Sequence, residues 1–107
     1  MLCTVAIEAD GQIGAAVIDT LEFDEDNGYS ARILQVSGTT YAIAYTSGNS
    51  GKICTVTIGT DGIIADAIID SLVFDTTGYT VSLVSIGGTL FAVAYQGVGS
   101  DGWLATF

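Results

Sequence analysis

Histidine and proline are both absent from this chain of 107 residues, and only two side chains, Arg32 and Lys52, are basic. Without histidine, the most common general base and a frequent zinc ligand are missing. Twelve acidic residues bring the net charge to −10. The chain therefore has no basic patch for the phosphates of nucleic acid or for an anionic membrane. We expect neither nucleic acid nor a membrane as a partner.

Long apolar runs are also missing. None approaches the roughly 20 residues that cross a bilayer as a helix, and Met1 leads into a strand pattern rather than a basic leader. These features predict a soluble chain without signal peptide or transmembrane segment, or a piece of a longer protein whose export signal lies elsewhere. The cellular compartment is left open.

Apolar residues make up 50% of the chain and charged residues only 13%. This balance excludes disorder, because the chain can bury enough apolar surface to offset the entropy of ordering. With few long charged side chains and many of Ala, Ile, Val and Gly, the composition favours strands that are buried on both faces, as in stacked sheets.

The most informative positive feature is an internal repeat with an offset close to 51 positions. Cys3-Thr4-Val5 returns as Cys54-Thr55-Val56, residues 18–24 return as 69–75, and the Tyr-Ala-Ile-Ala-Tyr stretch 41–45 returns as 91–95. Short strands and Gly-rich turns at such a period are typical of propeller blades or of a β-solenoid. Two units are too few to close a ring, so we expect copies of the chain to complete one.

Gly-containing turns divide each repeat into four strands. The turns, in pairs, are 10–11 with 61–62, 26–28 with 77–78, 37–39 with 87–89, and 48–51 with 97–102. Alternation and β-branched content between the turns predict strands at 2–8, 13–24, 30–37, 40–46, 52–58, 64–75, 80–86, 89–96 and 103–107. No segment keeps a helical period, so the predicted class is all-β.

The chain is predicted to be one domain, 1–107, that holds two repeats. Repeat 1 covers about 2–51 and repeat 2 about 53–102, and residues 103–107 begin a third. Within 41–45, the two tyrosines and the isoleucine share one face and the two alanines share the other, so neither face is polar. We expect this strand to be central, with another sheet close to its alanine side. The half-polar stretch 17–24 is predicted to be an outer strand.

This order of strands resembles a β-propeller repeat, distantly of the kelch type. The resemblance rests on an apolar strand (33–37 and 83–86), a Gly turn, the Tyr-Ala-Ile-Ala-Tyr strand, a Gly-rich loop, and then strands such as 103–107 and 18–24. The paired glycines that end the second kelch strand are replaced by residues 45–47 and 95–97. The resemblance therefore implies a closed ring of blades, and it implies no particular ligand.

The resemblance also implies how the blades are divided. One complete four-stranded blade would lie at about 30–75, between an outer half-blade at 2–24 and an inner half-blade at 80–107. A half-blade leaves an open strand edge, which invites pairing with another chain. We expect strands 80–96 of one subunit to be joined by 2–24 of the next, in a head-to-tail homo-oligomer with a shared inter-subunit blade.

The ring size follows from two blades per chain. Six blades in a trimer or eight in a tetramer both lie within the usual range, and we favour the trimer. Residues 103–107 repeat the beginning of residues 2–7, so both strands suit one place in the shared blade. Either the C-terminal strand takes that place or it is a short additional strand.

Cys3 and Cys54 occupy the same repeat position. Equivalent positions in packed sheets are about 10 Å apart, beyond the roughly 7 Å limit between the Cα atoms of a disulfide. Both are therefore predicted to be free thiols. Because no histidine is present to activate a thiolate, we interpret them as small, buried apolar side chains.

Asp19 and Asp70 recur inside apolar runs. A buried acid with a raised pKa could serve catalysis, but an acid needed once in every repeat is better explained by structure. We expect both to accept hydrogen bonds from the backbone or from Thr20 and Ser71. The recurring Tyr45 and Tyr95, with most other aromatic side chains, are predicted to lie in the core.

The acidic stretch 24–28 has alternating oxygen ligands of the kind that a calcium loop uses, with Asp24, Asp26 and Asn27 as candidates. It lacks a bidentate glutamate at the expected spacing, and its counterpart 75–78 has lost the acids. Aspartate and asparagine are also favoured in tight turns. We therefore interpret the stretch as a turn and expect no cofactor.

Three functions are compatible with these features. The leading hypothesis is a non-enzymatic, self-assembling propeller, a structural or interaction module that assembles with copies of itself and whose further partner, a glycan or a protein, is left open. The alternative is a carbohydrate-binding propeller, in which rim aromatics stack on sugars beside loop carboxylates. A glycosidase is more remote: residues 100–103 are only loosely similar to the aspartate box of sialidases, and the chain has no catalytic residue that we would name.

Overall fold

Nine antiparallel strands arranged in three sheets form the fold, and the only helical element is a single 3₁₀ turn, Val98–Ser100. The structure is a computed structural model that describes residues 1–107. The strands are β1 (Leu2–Thr4), β2 (Asp19–Leu21), β3 (Tyr29–Ser37), β4 (Thr40–Ser47), β5 (Ser50–Thr57), β6 (Asp70–Asp75), β7 (Tyr79–Gly87), β8 (Leu90–Gln96) and β9 (Gly102–Thr106). The all-β prediction is confirmed. No helix has the length and hydropathy needed to cross a membrane.

Each strand pairs only with the strands directly before or after it in the chain. Sheet 1 contains β1 and β2, sheet 2 contains β3, β4, β5 and β6 in that order, and sheet 3 contains β7, β8 and β9. Two-residue turns join β3 to β4, β4 to β5 and β7 to β8, and such turns favour antiparallel neighbours. The longer segments 5–18 and 58–69 join β1 to β2 and β5 to β6. Gly11 and Gly62 have φ angles of 90° and 86° in turns within these two segments, where a side chain would be strained.

Three predicted strands are shorter than expected. The predictions at 2–8, 13–24 and 64–75 were too long, since regular pairing covers only β1, β2 and β6. The N–H groups of Gly14 and Ile18 donate to the carbonyls of Ala6 and Thr4, so the three residues 15–17 lie opposite the single residue Val5. The segment 15–17 therefore loops out of the ladder, as at a large β-bulge, and residues 66–68 do the same in the next repeat.

The three sheets stack face to face, and β4 lies at the centre of the stack. Its Ile43 and Tyr45 enter one core cluster with Phe23, which follows β2 of sheet 1. Its Ala44 enters a second cluster with Val93 of sheet 3. As predicted, the small alanine side of this strand is the side that a neighbouring sheet approaches, and both of its faces are buried.

Sheets 1 and 2 share one pairing register. Leu2 is paired with Leu21, as Ile53 is paired with Leu72, and Thr4 with Asp19, as Thr55 is with Asp70. In sheet 3, β9 pairs with β8 as β5 pairs with β4, so residues 102–106 fill the third place of that sheet within one chain. Compared with sheet 2, sheet 3 thus lacks a counterpart of β6, and sheet 1 lacks counterparts of β3 and β4.

Candidate functional site

The two cysteines lie in different environments although they are equivalent in the pairing register. Both are free thiols. Cys54 is 1% exposed, and burial, with the nearby Asp24 carboxylate, raises the pKa of its thiol to about 11. Cys3 is exposed, so the expectation that both are buried is wrong for Cys3. The reason is that sheet 1 covers Cys54, whereas no sheet covers the outer face of sheet 1.

Asp24 is held by four donors. Its carboxylate accepts hydrogen bonds from the N–H groups of Asp26 and Asn27, from the Tyr45 hydroxyl and from the Lys52 ammonium group, which also forms an ion pair with it at 3.1 Å. Burial alone would raise the pKa of Asp24, but these donors outweigh it and hold the pKa well below its usual range. Burial of Tyr45 and its hydrogen bond to the Asp24 carboxylate raise the pKa of the Tyr45 hydroxyl.

In this arrangement the acidic stretch forms a turn. The oxygens of Asp24 face N–H, O–H and ammonium donors, and no three acidic or thiol side chains converge anywhere in residues 1–107. Asp26 and Asn27 contribute backbone N–H groups to the turn. The counterpart in the next repeat has donors of the same kind. Asp75 accepts hydrogen bonds from the N–H of Thr77 and from the Tyr95 hydroxyl, and both lower the pKa of Asp75.

Asp19 and Asp70 begin the outer strands β2 and β6 and accept hydrogen bonds at 2.8 Å from the N–H groups of Thr20 and Ser71. The second carboxylate oxygen of Asp19 accepts from the N–H of Ile64 at 2.8 Å, which connects sheet 1 to the turn after β5. The second oxygen of Asp70 has no such partner in the chain. No local pattern in the sequence indicates the contact between Asp19 and Ile64, since the two residues are 45 positions apart.

Several equivalent positions are buried inside the stack and exposed at its ends. On the outer face of sheet 1, Val5 is 42% exposed, whereas its counterpart Val56 in sheet 2 is fully buried. On the outer face of sheet 3, Ala94 is exposed, whereas its counterpart Ala44 in sheet 2 is fully buried. The outer faces of sheets 1 and 3 are therefore equivalent to the two faces of sheet 2, which are covered inside the stack.

The accessible surface is large for the size of the chain. It measures 6466 Å², whereas a folded monomer of 11.0 kDa exposes about 5600 Å². Only 18 of the 107 residues are buried, which is few for a chain that is half apolar. The exposed large apolar side chains include Ile7, Ile13, Val84 and Leu104. Exposed apolar surface on this scale is typical of an interaction surface.

Two clefts open on the chain. One, of about 270 Å³, lies between sheets 2 and 3 and is lined mostly by apolar side chains, among them Leu72, Phe91 and Phe107. The other, of about 400 Å³, lies on the outer face of sheet 3 and includes Gln96 and Asp101. Tyr45 and Tyr95 are buried, each in edge-to-face contact with a phenylalanine.

Comparison with known proteins finds no match among protein-family models, curated sequences or solved structures. The most distinctive feature of the chain is the pair of open stack ends. Asp19 and Asp24 lie at contacts between the sheets, whereas Asp70 accepts only from the N–H of Ser71.

Proposed function

We propose that the chain is a non-enzymatic subunit that assembles with copies of itself into a closed β-propeller, a structural or interaction module. The observation that carries this proposal is the burial difference between equivalent residues. Ala44 is buried where sheet 3 covers sheet 2, while its counterpart Ala94 is left uncovered at the end of the stack. A second copy presents the surface that each end lacks.

The contact is head-to-tail because the two ends differ. The outer face of sheet 3 is equivalent to the alanine face of sheet 2, and the outer face of sheet 1 is equivalent to the opposite face of sheet 2. A contact between unlike surfaces closes into a ring when its rotation permits, and otherwise extends as a fibre. With two blades per chain, three chains give six blades, and we favour this trimer over a tetramer.

In the shared blade, one chain supplies sheet 3, which ends in β9, and the next chain supplies β2 as the fourth strand. Gly102 in β9 is the counterpart of Gly51 in β5. A Cβ at Gly51 would overlap the Phe74 ring, whereas a Cβ at Gly102 has nothing within 4 Å. Glycine inside a strand usually marks the close approach of another group. Phe23, the counterpart of Phe74, supplies that group when β2 of a neighbour pairs with β9.

The competing strand β1 is the weaker candidate for that place. β9 pairs with β8 at five positions and Phe107 adds two backbone hydrogen bonds to Phe91, whereas β1 pairs with β2 at three. Trp103 in β9 and Phe107 after it correspond to the smaller Met1 and Val5 that flank β1. In the assembled ring, β9 therefore keeps its place and β1 is released from β2.

The test is the particle mass, measured by light scattering during size-exclusion chromatography. Physiological salt is needed because a net charge of −10 per chain makes copies repel one another at low ionic strength. We expect three chain masses for the unmodified protein and one chain mass, with unchanged circular dichroism, for Ala94→Glu. Val73→Glu is the matched control, since Glu22 stands at the equivalent position, and it should assemble normally. A monomeric unmodified chain overturns the proposal.

Carbohydrate binding is the second candidate, and it rests on two aromatic side chains. Tyr29 and Trp103 remain exposed, and exposed aromatic rings are the surfaces on which sugar rings stack. A glycan array decides: binding that is lost in Tyr29→Ala or Trp103→Ala, with assembly unchanged, supports this function. An array without signal removes it.

A further inference from the structure

The cleft between sheets 2 and 3 has an occupied counterpart elsewhere in the chain. Six of its lining residues come from β5 and β6: Ile53, Cys54, Thr55, Asp70, Ser71 and Leu72. The residues 51 positions earlier form β1 and β2: Leu2, Cys3, Thr4, Asp19, Thr20 and Leu21. The same surface therefore occurs twice, once in sheet 1 and once in sheet 2.

In sheet 1 this surface is filled by the segment that follows β5. Ile58 and Ile68 pack against the core cluster together with Leu2 and Leu21. Ile64, between them in the chain, is only 3% exposed. No segment of the chain covers the equivalent surface of sheet 2. The place that corresponds to the three isoleucines is the cleft of about 270 Å³.

Two hydrogen bonds fix the covering segment on sheet 1. The Ile64 N–H donates to the second carboxylate oxygen of Asp19 at 2.8 Å, and the Thr4 hydroxyl donates to the Gly62 carbonyl at 2.7 Å. Their counterparts in sheet 2 are Asp70 and Thr55. The free oxygen of Asp70 and the hydroxyl of Thr55 make no hydrogen bond within the chain.

A segment of the same chemistry is uncovered in the same chain. Ile7, Ile13 and Val17 stand 51 positions before Ile58, Ile64 and Ile68. Ile7 and Ile13 are each 67% exposed. The turn that carries them has the backbone of its counterpart, since Gly11 donates to Glu8 as Gly62 donates to Gly59. The Ile13 N–H, like the free oxygen of Asp70, has no partner in the chain.

We propose that segment 7–18 of a second copy docks in the cleft between sheets 2 and 3. Ile7, Ile13 and Val17 fill the apolar cleft, the Ile13 N–H donates to Asp70, and the Thr55 hydroxyl donates to the Gly11 carbonyl. The site is thus made of one copy's cleft and another copy's segment. This inference rests on the proposed assembly and names the residues that carry its specificity.

The experiment uses two variants that damage opposite partners. Ile13→Asp spoils the segment and leaves the cleft intact, and Leu72→Asp spoils the cleft and leaves the segment intact. Both side chains are more than half exposed in a single chain, so each variant should keep the fold. Burying an aspartate without a partner costs more than losing one isoleucine, so we expect association to weaken at least about a hundredfold. Ile63→Asp is the matched control in the covered turn, and it should assemble normally.

Mixing the two variants gives the decisive result. Ile13→Asp offers a sound cleft and Leu72→Asp a sound segment, so an equimolar mixture should form a one-to-one heterodimer that cannot grow, while each variant alone is a single chain. Ile13→Ala, a milder change, should weaken association about tenfold and covers the case in which an aspartate variant does not fold.

The outcomes separate this inference from the assembly proposal. If the unmodified chain forms a ring and Ile13→Asp and Ile13→Ala form it equally well, the docking site is wrong and the ring stands. If the two folded variants give no heterodimer when mixed, the pairing of segment and cleft is wrong. If the unmodified chain is a monomer, both proposals are overturned.

Discussion

The Tyr45 hydroxyl donates a hydrogen bond to the Asp24 carboxylate at 3.0 Å, and this bond connects sheet 2 to the end of sheet 1. The same bond recurs one repeat later, where Tyr95 of sheet 3 donates to Asp75 of sheet 2 at 2.7 Å. Each tyrosine also packs edge-to-face on the phenylalanine that precedes the aspartate. In each repeat, a single tyrosine therefore makes both an apolar contact, through its ring, and a hydrogen bond, through its hydroxyl, with the preceding sheet.

Asp24→Asn should destabilise the chain in a pH-dependent way. The pKa of Asp24 lies well below its usual value of 3.8, so the charged carboxylate contributes stability above about pH 4, and this contribution is lost as the pH falls through the folded-state pKa. The variant loses the ion pair with Lys52 at a site that is 7% exposed. We expect it to lower the free energy of unfolding by about 2 kcal/mol at pH 7.

Urea unfolding of the two proteins between pH 7 and pH 2.5 measures this. The difference in free energy of unfolding should shrink steadily below about pH 4. Asp10→Asn makes the same change of charge at an exposed turn and should leave stability almost unchanged at every pH. A difference that stays constant down to pH 2.5 would contradict the role of the charged Asp24.

The two thiols should differ sharply in reactivity. Cys54 is buried and the pKa of its thiol is raised to about 11, so at pH 8 almost none of it is thiolate, the reactive form. Cys3 is exposed. A thiol reagent should therefore modify one cysteine per native chain, in the single chain and in the ring alike, and two in denaturant. Protection of Cys3 in the ring would mean that β1, rather than β9, fills the shared blade.

The strands and the faces of the chain were largely predictable from the sequence. Turn residues mark where the chain reverses, and alternation shows which side chains share a face. The central position of β4 followed from residues 41–45, in which neither face is polar. These are local signals, and the structure keeps them because successive strands within each sheet are antiparallel neighbours.

The errors have physical causes that lie beyond local alternation. Residues 15–17 continue an apolar pattern but leave the ladder, because only one residue, Val5, lies opposite the three of them. Cys3 is exposed although Cys54 is buried, because burial depends on the next sheet and not on the residue type. The bond between Asp19 and Ile64 needs the stacking of sheets 1 and 2, which no spacing within one repeat specifies.

Gly102→Val should separate folding from assembly. Nothing lies within 4 Å of a Cβ at this position, and valine favours strands, so the single chain should melt at the same or a higher temperature. In the proposed ring the Phe23 ring of a neighbour covers Gly102, so association should weaken at least about tenfold.

Gly51→Val provides the matched comparison, because Phe74 of the same chain already covers that glycine. It should destabilise the single chain itself by about 1–3 kcal/mol. Thermal unfolding and particle mass, measured on both variants, test the pair. A Gly102→Val chain that assembles as well as the unmodified one would show that no neighbour approaches β9 there.

Removal of residues 1–5 should strengthen assembly, which is the opposite of what deleting an interface strand normally does. In the proposed ring, β1 and the β9 of a neighbour would compete for the same edge of β2, and in a single chain β1 holds that edge through three paired positions. A neighbour must displace β1 before its own β9 can pair with β2, so the cost of this displacement opposes association. The shortened chain has no strand to displace, and its ring should persist at lower protein concentration. Dilution followed by mass photometry gives the midpoint of dissociation for both chains, and Leu2→Ala, which only weakens the packing of β1, should fall between them. A shortened chain that dissociates at higher concentration than the unmodified one would mean that β1 belongs to the shared blade, because β2 would then have lost its partner instead of gaining a free edge.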